Sequence, residues 1–217
     1  MPSSSRRVAV QFDDREQQQE ANLFGMWVFL ASEVMFFSGF FAAYLIYRHA
    51  APEAFAHASR KLDIWLGTFN TALLLTSSYT MALAVNAAHA GRRRLLVVLL
   101  LATSVMGAGF VGIKFTEYWH KYEQGLVPFL GWKFDYSGAG ADQVRLFFNL
   151  YFGMTGLHAF HMLIGIGILA ALLVPAARGR FHGEDFAPVE ISGLYWHFVD
   201  IVWIFLFPLL YLIDRSV

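Results

Sequence analysis

The sequence contains no cysteine among its 217 residues. This absence excludes disulfides, thiolate-held iron–sulfur clusters, zinc ribbons, covalently attached c-type haem and cysteine-ligated copper. A metal ion bound by this chain would therefore need ligands from histidine and carboxylate side chains.

Charge is also scarce. Only 15% of the residues are charged and 57% are hydrophobic, whereas about 25% of a typical soluble domain is charged. Sixteen basic residues balance sixteen acidic ones, so the chain lacks the basic excess that is typical of nucleic-acid-binding proteins. The composition argues against a soluble globular protein and against a nucleic-acid partner.

The apolar residues form five long runs, at about residues 23–47, 64–88, 95–116, 146–174 and 192–213. Each run is long enough to cross a bilayer, which takes about 20 residues of α-helix. Because backbone polar groups in lipid must be satisfied within the segment, each run is predicted to be helical. The predicted fold is all-α, a polytopic membrane protein built as a five-transmembrane-helix bundle. Residues 23–217 form this single domain, and residues 1–22 form a polar tail.

The distribution of Lys and Arg predicts the orientation, since cytoplasmic loops carry an excess of them. The two sides defined by five crossings carry equal numbers of these residues. The shortest loop, however, holds Arg92, Arg93 and Arg94 together without an acid. We therefore expect a cytoplasmic amino terminus and an extracytoplasmic carboxyl terminus.

Glu33 lies near the middle of the first predicted helix. A charge at the bilayer centre is costly, so this carboxyl is either protonated and facing lipid or paired inside the bundle. It could join two helices through a hydrogen bond, or it could serve as a proton-handling or regulatory group. The residue pattern leaves both interpretations open.

Two histidines on the fourth helix, His158 and His161, are three residues apart and share one face. A metal site would need further ligands from other helices, and only His197 is another clearly intramembrane histidine. Interhelical hydrogen bonds are the favoured interpretation, and no metal or catalytic centre is predicted in this chain.

The fifth helix places His197 and Asp200 one turn apart, where an imidazole and a carboxylate can satisfy each other. A hydrolase that used this pair would need a nucleophile, and no Gly-x-Ser-x-Gly turn is present. Glu190 precedes the predicted helix start, where a carboxylate meets the positive end of the helix dipole. It is predicted to cap the helix.

Where the third helix ends, Lys114, Glu117 and Lys121 follow at helical spacing, with Glu117 and Lys121 oriented for an ion pair. Tyr118 and Trp119 beside them are typical of an aromatic belt at the membrane surface. Glu117, Tyr118 and Trp119 are therefore predicted to be interfacial.

Several of these residues occur in the order found in subunit III of haem-copper oxidases, and residues 25–212 resemble that family. The strongest piece is the block Tyr195-Trp196-His197-Phe198-Val199-Asp200 with Trp203. The other matching pieces are Ser32-Glu33-Val34, Phe36-Phe37 and Gly39-Phe40-Phe41; Asn70-Thr71 with Ser77-Ser78; Glu117-Tyr118; Gly156-Leu157-His158 with His161 and Gly165; and Glu190.

The resemblance implies a non-catalytic subunit that binds no cofactor itself and packs beside subunits I and II, which carry haem and copper. In this family the subunit is thought to support proton uptake and the stability of subunit I during oxygen reduction, and to hold structural phospholipid. The resemblance places Glu33 at the family's intramembrane carboxyl and His158, His161, Glu190, His197 and Asp200 at its characteristic polar positions. Longer members have two further helices at the amino-terminal side, which this chain lacks, as in some bacterial forms.

The expected function is thus that of subunit III of a bacterial cytochrome c oxidase in the cytoplasmic membrane, within aerobic respiratory electron transport. Three alternatives stay open from the sequence. They are subunit III of a quinol oxidase, the related five-helix accessory protein of a nitric oxide reductase system, and an independent membrane haem or metal enzyme that uses His158, His161 and His197.

Overall fold

A computed structural model of the chain describes residues 11–128, 134–136, 138, 140–181 and 186–213. Six α-helices are present, and five of them are long and apolar enough to span a membrane. The helices are α1 (Arg15–Ala50), α2 (Pro52–Arg60), α3 (Ile64–His89), α4 (Arg93–Glu123), α5 (Ala141–Ala177) and α6 (Ala187–Phe207), followed by a π-helical turn (Pro208–Leu212). The predicted all-α membrane bundle is confirmed.

The first membrane helix begins eight residues before its predicted start. The Asp14 carboxylate accepts a hydrogen bond from the Gln17 amide at 2.8 Å and caps α1 there. Part of the predicted polar tail is therefore helical, because a helix can extend past the apolar run that crosses the membrane. The first ten residues of that tail lie outside the described residues.

The short helix α2 was not predicted, since nine residues cannot span a bilayer and its composition is mixed. It is amphipathic, and it buries Phe55, Ala58 and Ser59. The Ser59 hydroxyl donates to the Leu210 carbonyl at 2.7 Å, which joins α2 to the π-helical turn. That turn begins at Pro208, which has no backbone N–H to continue the α-helical hydrogen-bond ladder of α6.

Helices α3, α4, α5 and α6 form a closed four-helix bundle, in which each packs against two of the others. Helix α1 lies outside this bundle against α5 and α6, and it is the least buried of the five spans, whereas α6 is the most buried. Large α6 side chains, Trp196 and Trp203 above all, fill the centre. Helix α6 therefore contacts α3 and α5 within the bundle and α1 outside it, which accounts for its high burial.

Close approach of the helices depends on glycine. A Cβ atom built on Gly107 of α4 would lie 2.6 Å from the Trp196 ring, and one built on Gly165 of α5 would lie 3.1 Å from the same ring. The indole thus occupies space that two glycines leave open between α4 and α5. Small residues at helix contacts are the usual means of tight packing within membranes.

Candidate functional site

Glu33 and His161 meet where α1 packs on the main bundle. His161 Nε2 lies 3.2 Å from Glu33 Oε2, and the Glu33 side chain stays 20% exposed. The ring of Phe37 lies beside the imidazole, and the Tyr195 hydroxyl donates to the His161 carbonyl at 3.1 Å. Three helices therefore hold a carboxyl and an imidazole together near the middle of the membrane span.

The second ring nitrogen of His161 is held by its own helix. Its Nδ1 lies 2.9 Å from the Leu157 carbonyl, which can only accept, so Nδ1 carries a hydrogen and Nε2 is left to face Glu33. The contact between Nε2 and the Glu33 carboxyl is an ion pair when the imidazole is protonated.

Three side-chain hydrogen bonds join α3 to α6, two of them at adjacent residues and the third about two helical turns away. Two of the donors are tryptophan N–H groups, and the third contact involves a histidine ring. The bonds link Trp203 Nε1 to Thr71 Oγ1 at 3.0 Å, Trp196 Nε1 to Ser77 Oγ at 3.1 Å and His197 Nδ1 to Ser78 Oγ at 2.7 Å. Pieces of sequence more than 100 residues apart thus form one polar interface.

His197 and Asp200 do not satisfy each other as the spacing suggested, and that expectation is wrong. The Ser78 hydroxyl on α3 reaches His197 and also faces Asp200. Both carboxyl oxygens of Asp200 are buried without a hydrogen-bond partner among the described residues. The reason is that the residues' shared face points towards α3, so Ser78 takes the position between them.

His158 also departs from its expected role as an interhelical hydrogen-bonding group. Its ring is fully buried, and neither nitrogen has a hydrogen-bond partner within the described parts of the chain. The ring instead packs against Phe110 at 5.3 Å and Trp203 at 5.2 Å between centroids. The register of α5 places it opposite aromatic side chains of α4 and α6, while His161 turns towards α1.

Glu117 belongs to a buried polar cluster rather than to the membrane surface, which corrects the predicted interfacial position. Lys114 and Glu117 are 1% and 2% exposed and form an ion pair of 2.8 Å. Lys114 also donates to the hydroxyls of Tyr151 at 3.2 Å and Tyr211 at 2.8 Å. Those two hydroxyls donate to Glu117 Oε1 at 2.9 and 2.6 Å. We call these four residues the Lys114 cluster.

The Lys114 cluster satisfies its charged groups completely. The ammonium group has three N–H donors and three acceptors, and both carboxylate oxygens accept at least one bond. The expected ion pair between Glu117 and Lys121 is replaced by the one with Lys114. Lys121 instead donates to the Lys61 carbonyl and to Gln124 Oε1. The cluster ties α4, α5 and the π-helical turn together.

The other two residues of the predicted interfacial group face different ways. Trp119 is 55% exposed, as a membrane-surface anchor should be, and its indole donates to Glu123 at 2.9 Å. Tyr118 is directed inward and bonds to the Thr155 hydroxyl at 2.6 Å. A helix separates neighbouring side chains by about 100°, so adjacent aromatic residues cannot all face the lipid.

Glu190 lies in the first turn of α6 rather than before the helix. The helix begins at Ala187 with Phe186 as its capping residue, and the Glu190 amide already bonds to the Phe186 carbonyl. Its carboxylate is still near the positive end of the helix dipole, but it is not the cap. The predicted helix start was late because Pro188 and the charged Glu190 interrupt the apolar pattern in the first turn.

The three intramembrane histidines lie in three separate surroundings: one against aromatic rings, one with Glu33 and one with Ser78. Within the described ranges, no group of three or more His, Asp or Glu side chains converges as metal ligands would. The geometry therefore supports packing and polar contacts between helices as the role of these side chains.

Sequence reasoning missed the Lys114 cluster although a signal existed. Gly107, Phe110, Lys114, Glu117 and Lys121 repeat at spacings of three and four and are all buried, which marks one inward face of α4. Charges near the end of a span were assigned to the membrane surface by default. The two tyrosines were not foreseeable, because they lie 34 and 94 residues from Glu117 in the sequence.

Comparison with known proteins agrees with this architecture. The sequence model of the family "Cytochrome c oxidase subunit III" matches residues 11–214. The chain is 30% identical to the quinol oxidase subunit 3 of Bacillus subtilis, over 88% of this chain and 86% of that protein. It is also 30% identical to the cytochrome c oxidase subunit 3 of Thermostichus vulcanus, over 97% and 96%.

A further relative is the probable quinol oxidase subunit 3 of Staphylococcus haemolyticus, with 28% identity over 93% of each chain. These matches run the length of the bundle, and they include every helix that contributes to the contacts described above. The chain belongs to the cytochrome c oxidase subunit III family.

Proposed function

We propose that this chain is the non-catalytic subunit III of a bacterial haem-copper terminal oxidase, which reduces oxygen to water in aerobic respiration. Subunits I and II, its proposed partners, would carry the haem and copper. The chain would support proton uptake and the stability of subunit I during turnover. The observation that carries this proposal is the match to the subunit III family over residues 11–214. The Glu33–His161 pair, partly exposed at the edge of the bundle, is its candidate protonatable group.

The proposed orientation has the amino terminus in the cytoplasm, in the cytoplasmic membrane. By sequence alone, the two sides of the membrane carry equal numbers of Lys and Arg residues. Two of the residues counted on the side opposite the amino terminus are Lys114 and Lys121. Both are buried inside the bundle and hydrogen-bonded. They do not act as loop charges, and leaving them out favours the amino-terminal side, where Arg92 to Arg94 lie.

The electron donor follows from the catalytic partners rather than from this chain. Relatives named as quinol oxidase subunits and one named as a cytochrome c oxidase subunit match at similar identity. Oxygen consumption by the purified complex with a quinol, compared with reduced cytochrome c, would distinguish the two donors.

Purification of the affinity-tagged full chain from native membranes tests the assignment. We expect haem-copper subunits I and II to co-purify and the complex to consume oxygen. Recovery of the folded chain without a haem-bearing partner would contradict the proposal. Haem with non-haem iron and without copper would point instead to a nitric oxide reductase system, and a Soret band from the chain alone would point to an independent haem protein.

Labelling with a hydrophobic carbodiimide tests the role of Glu33, because the reagent modifies protonated carboxyls in lipid. We expect Glu33 to be labelled preferentially, since its side chain is about seven times more exposed than that of Glu117 (20% against 3%). Glu33→Gln should abolish the labelling while oxygen reduction continues, since no redox centre depends on this residue.

Glu123→Gln is the matched control, because it makes the same chemical change at an exposed carboxylate at the end of α4 and leaves the buried ion pair of Glu117 intact. Labelling should persist in this variant. Labelling that survives Glu33→Gln unchanged would refute the assignment, as would complete loss of turnover in a correctly assembled Glu33→Gln complex.

A further inference from the structure

The carboxyl of Asp200 is buried on α6 without a stabilising partner. Its side chain is 2% exposed, and neither oxygen has a hydrogen-bond partner among the described residues. An ionised carboxylate in such a place is costly unless a cation or several donors face it. The protonation of Asp200 therefore depends on what the neighbouring helices place around it.

Charged and titratable side chains on the surrounding helices are engaged elsewhere. On α5, His161 faces Glu33 of α1, and His158 packs between aromatic rings. On α4, Lys114 is ion-paired with Glu117. Within the described residues, none of these groups pairs with the buried carboxyl of α6.

Helix α3 places one polar group beside Asp200. The neighbouring contacts on this face join Trp203 to Thr71 at 3.0 Å and His197 to Ser78 at 2.7 Å, and Asp200 lies one turn from each along α6. The Ser78 hydroxyl faces Asp200 as well as His197. Because a hydroxyl has a single hydrogen to donate, the direction of these contacts decides whether Asp200 or His197 Nδ1 carries the other hydrogen.

We propose that Asp200 is a neutral carboxylic acid that donates to Ser78, and that Ser78 donates to His197 Nδ1. In the opposite direction, His197 Nδ1 donates to Ser78 and Ser78 donates to Asp200, which leaves a buried carboxylate with one hydrogen bond and no cation. The proposed direction places no charge among these groups, and an unpaired charge is what the interior of a membrane bundle disfavours most.

Asp200 thus acts as a positioning residue for His197. With Nδ1 accepting from Ser78, the hydrogen of the neutral imidazole is on Nε2. The imidazole is half-buried, so this N–H donor is held at the partly exposed edge of the contact between α3 and α6. The site is separate from Glu33 on α1, and it does not depend on which oxidase the chain serves.

Solid-state NMR of the full chain in phosphatidylcholine bilayers, with ¹⁵N in the histidine rings, tests the direction. Protonated and unprotonated ring nitrogens give separate signals, and those of His197 are identified by their absence from His197→Gln. At neutral pH we expect an unprotonated Nδ1 and a protonated Nε2. A hydrogen on Nδ1, in a neutral or a doubly protonated ring, would overturn the proposal, because Ser78 would then donate to an ionised Asp200.

Infrared spectroscopy of the chain with ¹³C-carboxyl-labelled aspartate observes the acid itself. A protonated carboxylic acid has a C=O stretching band that a carboxylate lacks, and the label separates aspartate from glutamate and from lipid esters. We expect one such labelled band at neutral pH, which Asp200→Asn removes. Absence of the band from the unsubstituted chain would overturn the proposal.

Asp63→Asn is the matched control for the infrared band. It makes the same chemical change at an exposed aspartate, whose carboxylate accepts from the Trp65 and Leu66 amides and caps α3. Asparagine caps helices as well as aspartate does. The labelled band should therefore persist in Asp63→Asn, and its loss there would overturn the assignment to Asp200.

Two substitutions of Ser78 test the link between the acid and the imidazole. Ser78→Ala should shift the Asp200 band to higher frequency, because the acid loses its acceptor, and should convert His197 from one tautomer to a mixture. Ser78→Thr keeps the hydroxyl and should keep both signals. An unchanged band and an unchanged tautomer in Ser78→Ala would show that Ser78 does not connect the two residues, and would overturn the proposal.

Discussion

Replacing Glu117 by glutamine should destabilise the protein more than any exposed charge change on the same helix. The substitution leaves Lys114 buried at 1% exposure without its counter-ion, and it turns an amide N–H towards the ammonium group. Removing one partner of a buried ion pair costs about 3–5 kcal/mol. Because Tyr151 and Tyr211 can still donate to the remaining oxygen, we expect the lower end, about 3 kcal/mol.

A double-mutant cycle separates the ion pair from the other effects of the substitution. Lys114→Met should cost a similar amount, since it strands a buried carboxylate. The Lys114→Met/Glu117→Gln double variant contains no buried charge and keeps an acceptor for both tyrosine hydroxyls. Its loss of stability should fall short of the sum of the single losses by about 2 kcal/mol.

The measurement is the free energy of unfolding of the full chain in detergent micelles by equilibrium titration with a denaturing detergent. Glu123→Gln is the control, since Glu123 lies on the exposed surface of α4 and should change stability by less than about 0.5 kcal/mol. A Glu117→Gln loss as small as that of Glu123→Gln would refute the reasoning, as would strict additivity in the cycle.

Two further substitutions test the packing around α6. Gly107→Ala places a Cβ 2.6 Å from the Trp196 ring and should cost about 1–3 kcal/mol by overpacking. Gly112→Ala is the control, because no atom lies within 4 Å of its Cβ, and it should be neutral or mildly stabilising in the same unfolding assay. Similar losses in both variants would contradict the packing argument. Ser78→Ala removes the 2.7 Å contact with His197. It should cost about 1 kcal/mol, because a half-buried ring nitrogen loses its partner. An unchanged unfolding free energy would show that this contact contributes nothing.

The positions of the membrane helices could be predicted because a bilayer imposes a length and a composition on each span. The helix ends could not, since the cap at Asp14 and the first turn of α6, with Pro188 and Glu190, lie outside the apolar runs. Helix α2 could not be predicted from length and hydropathy either, because its nine residues are too few to span a bilayer and mix apolar and polar side chains. Length and hydropathy locate the part of each helix that spans the membrane. They do not locate the helical turns that extend past the apolar run.

The polar contacts divide in the same way. Residue type and position identified Glu33, His161, His197 and Asp200 as informative, but not their partners. Ser78 is 119 residues from His197, and His161 is 128 residues from Glu33. The register of one helix against another therefore determines which side chains are in contact. The sequence showed which helices carry buried polar groups, and only the packing determines which groups are paired.

The two buried acid-containing sites differ in a way that bears on function. Every donor and acceptor of the Lys114 cluster is used, and its charged groups are sealed between three elements. A proton cannot be added or removed there without breaking several bonds, so the cluster is suited to holding α6 in place. Glu33 and His161 lie at an edge that stays partly open. We therefore expect carbodiimide reactivity to separate Glu33 from Glu117, even though both lie inside membrane helices.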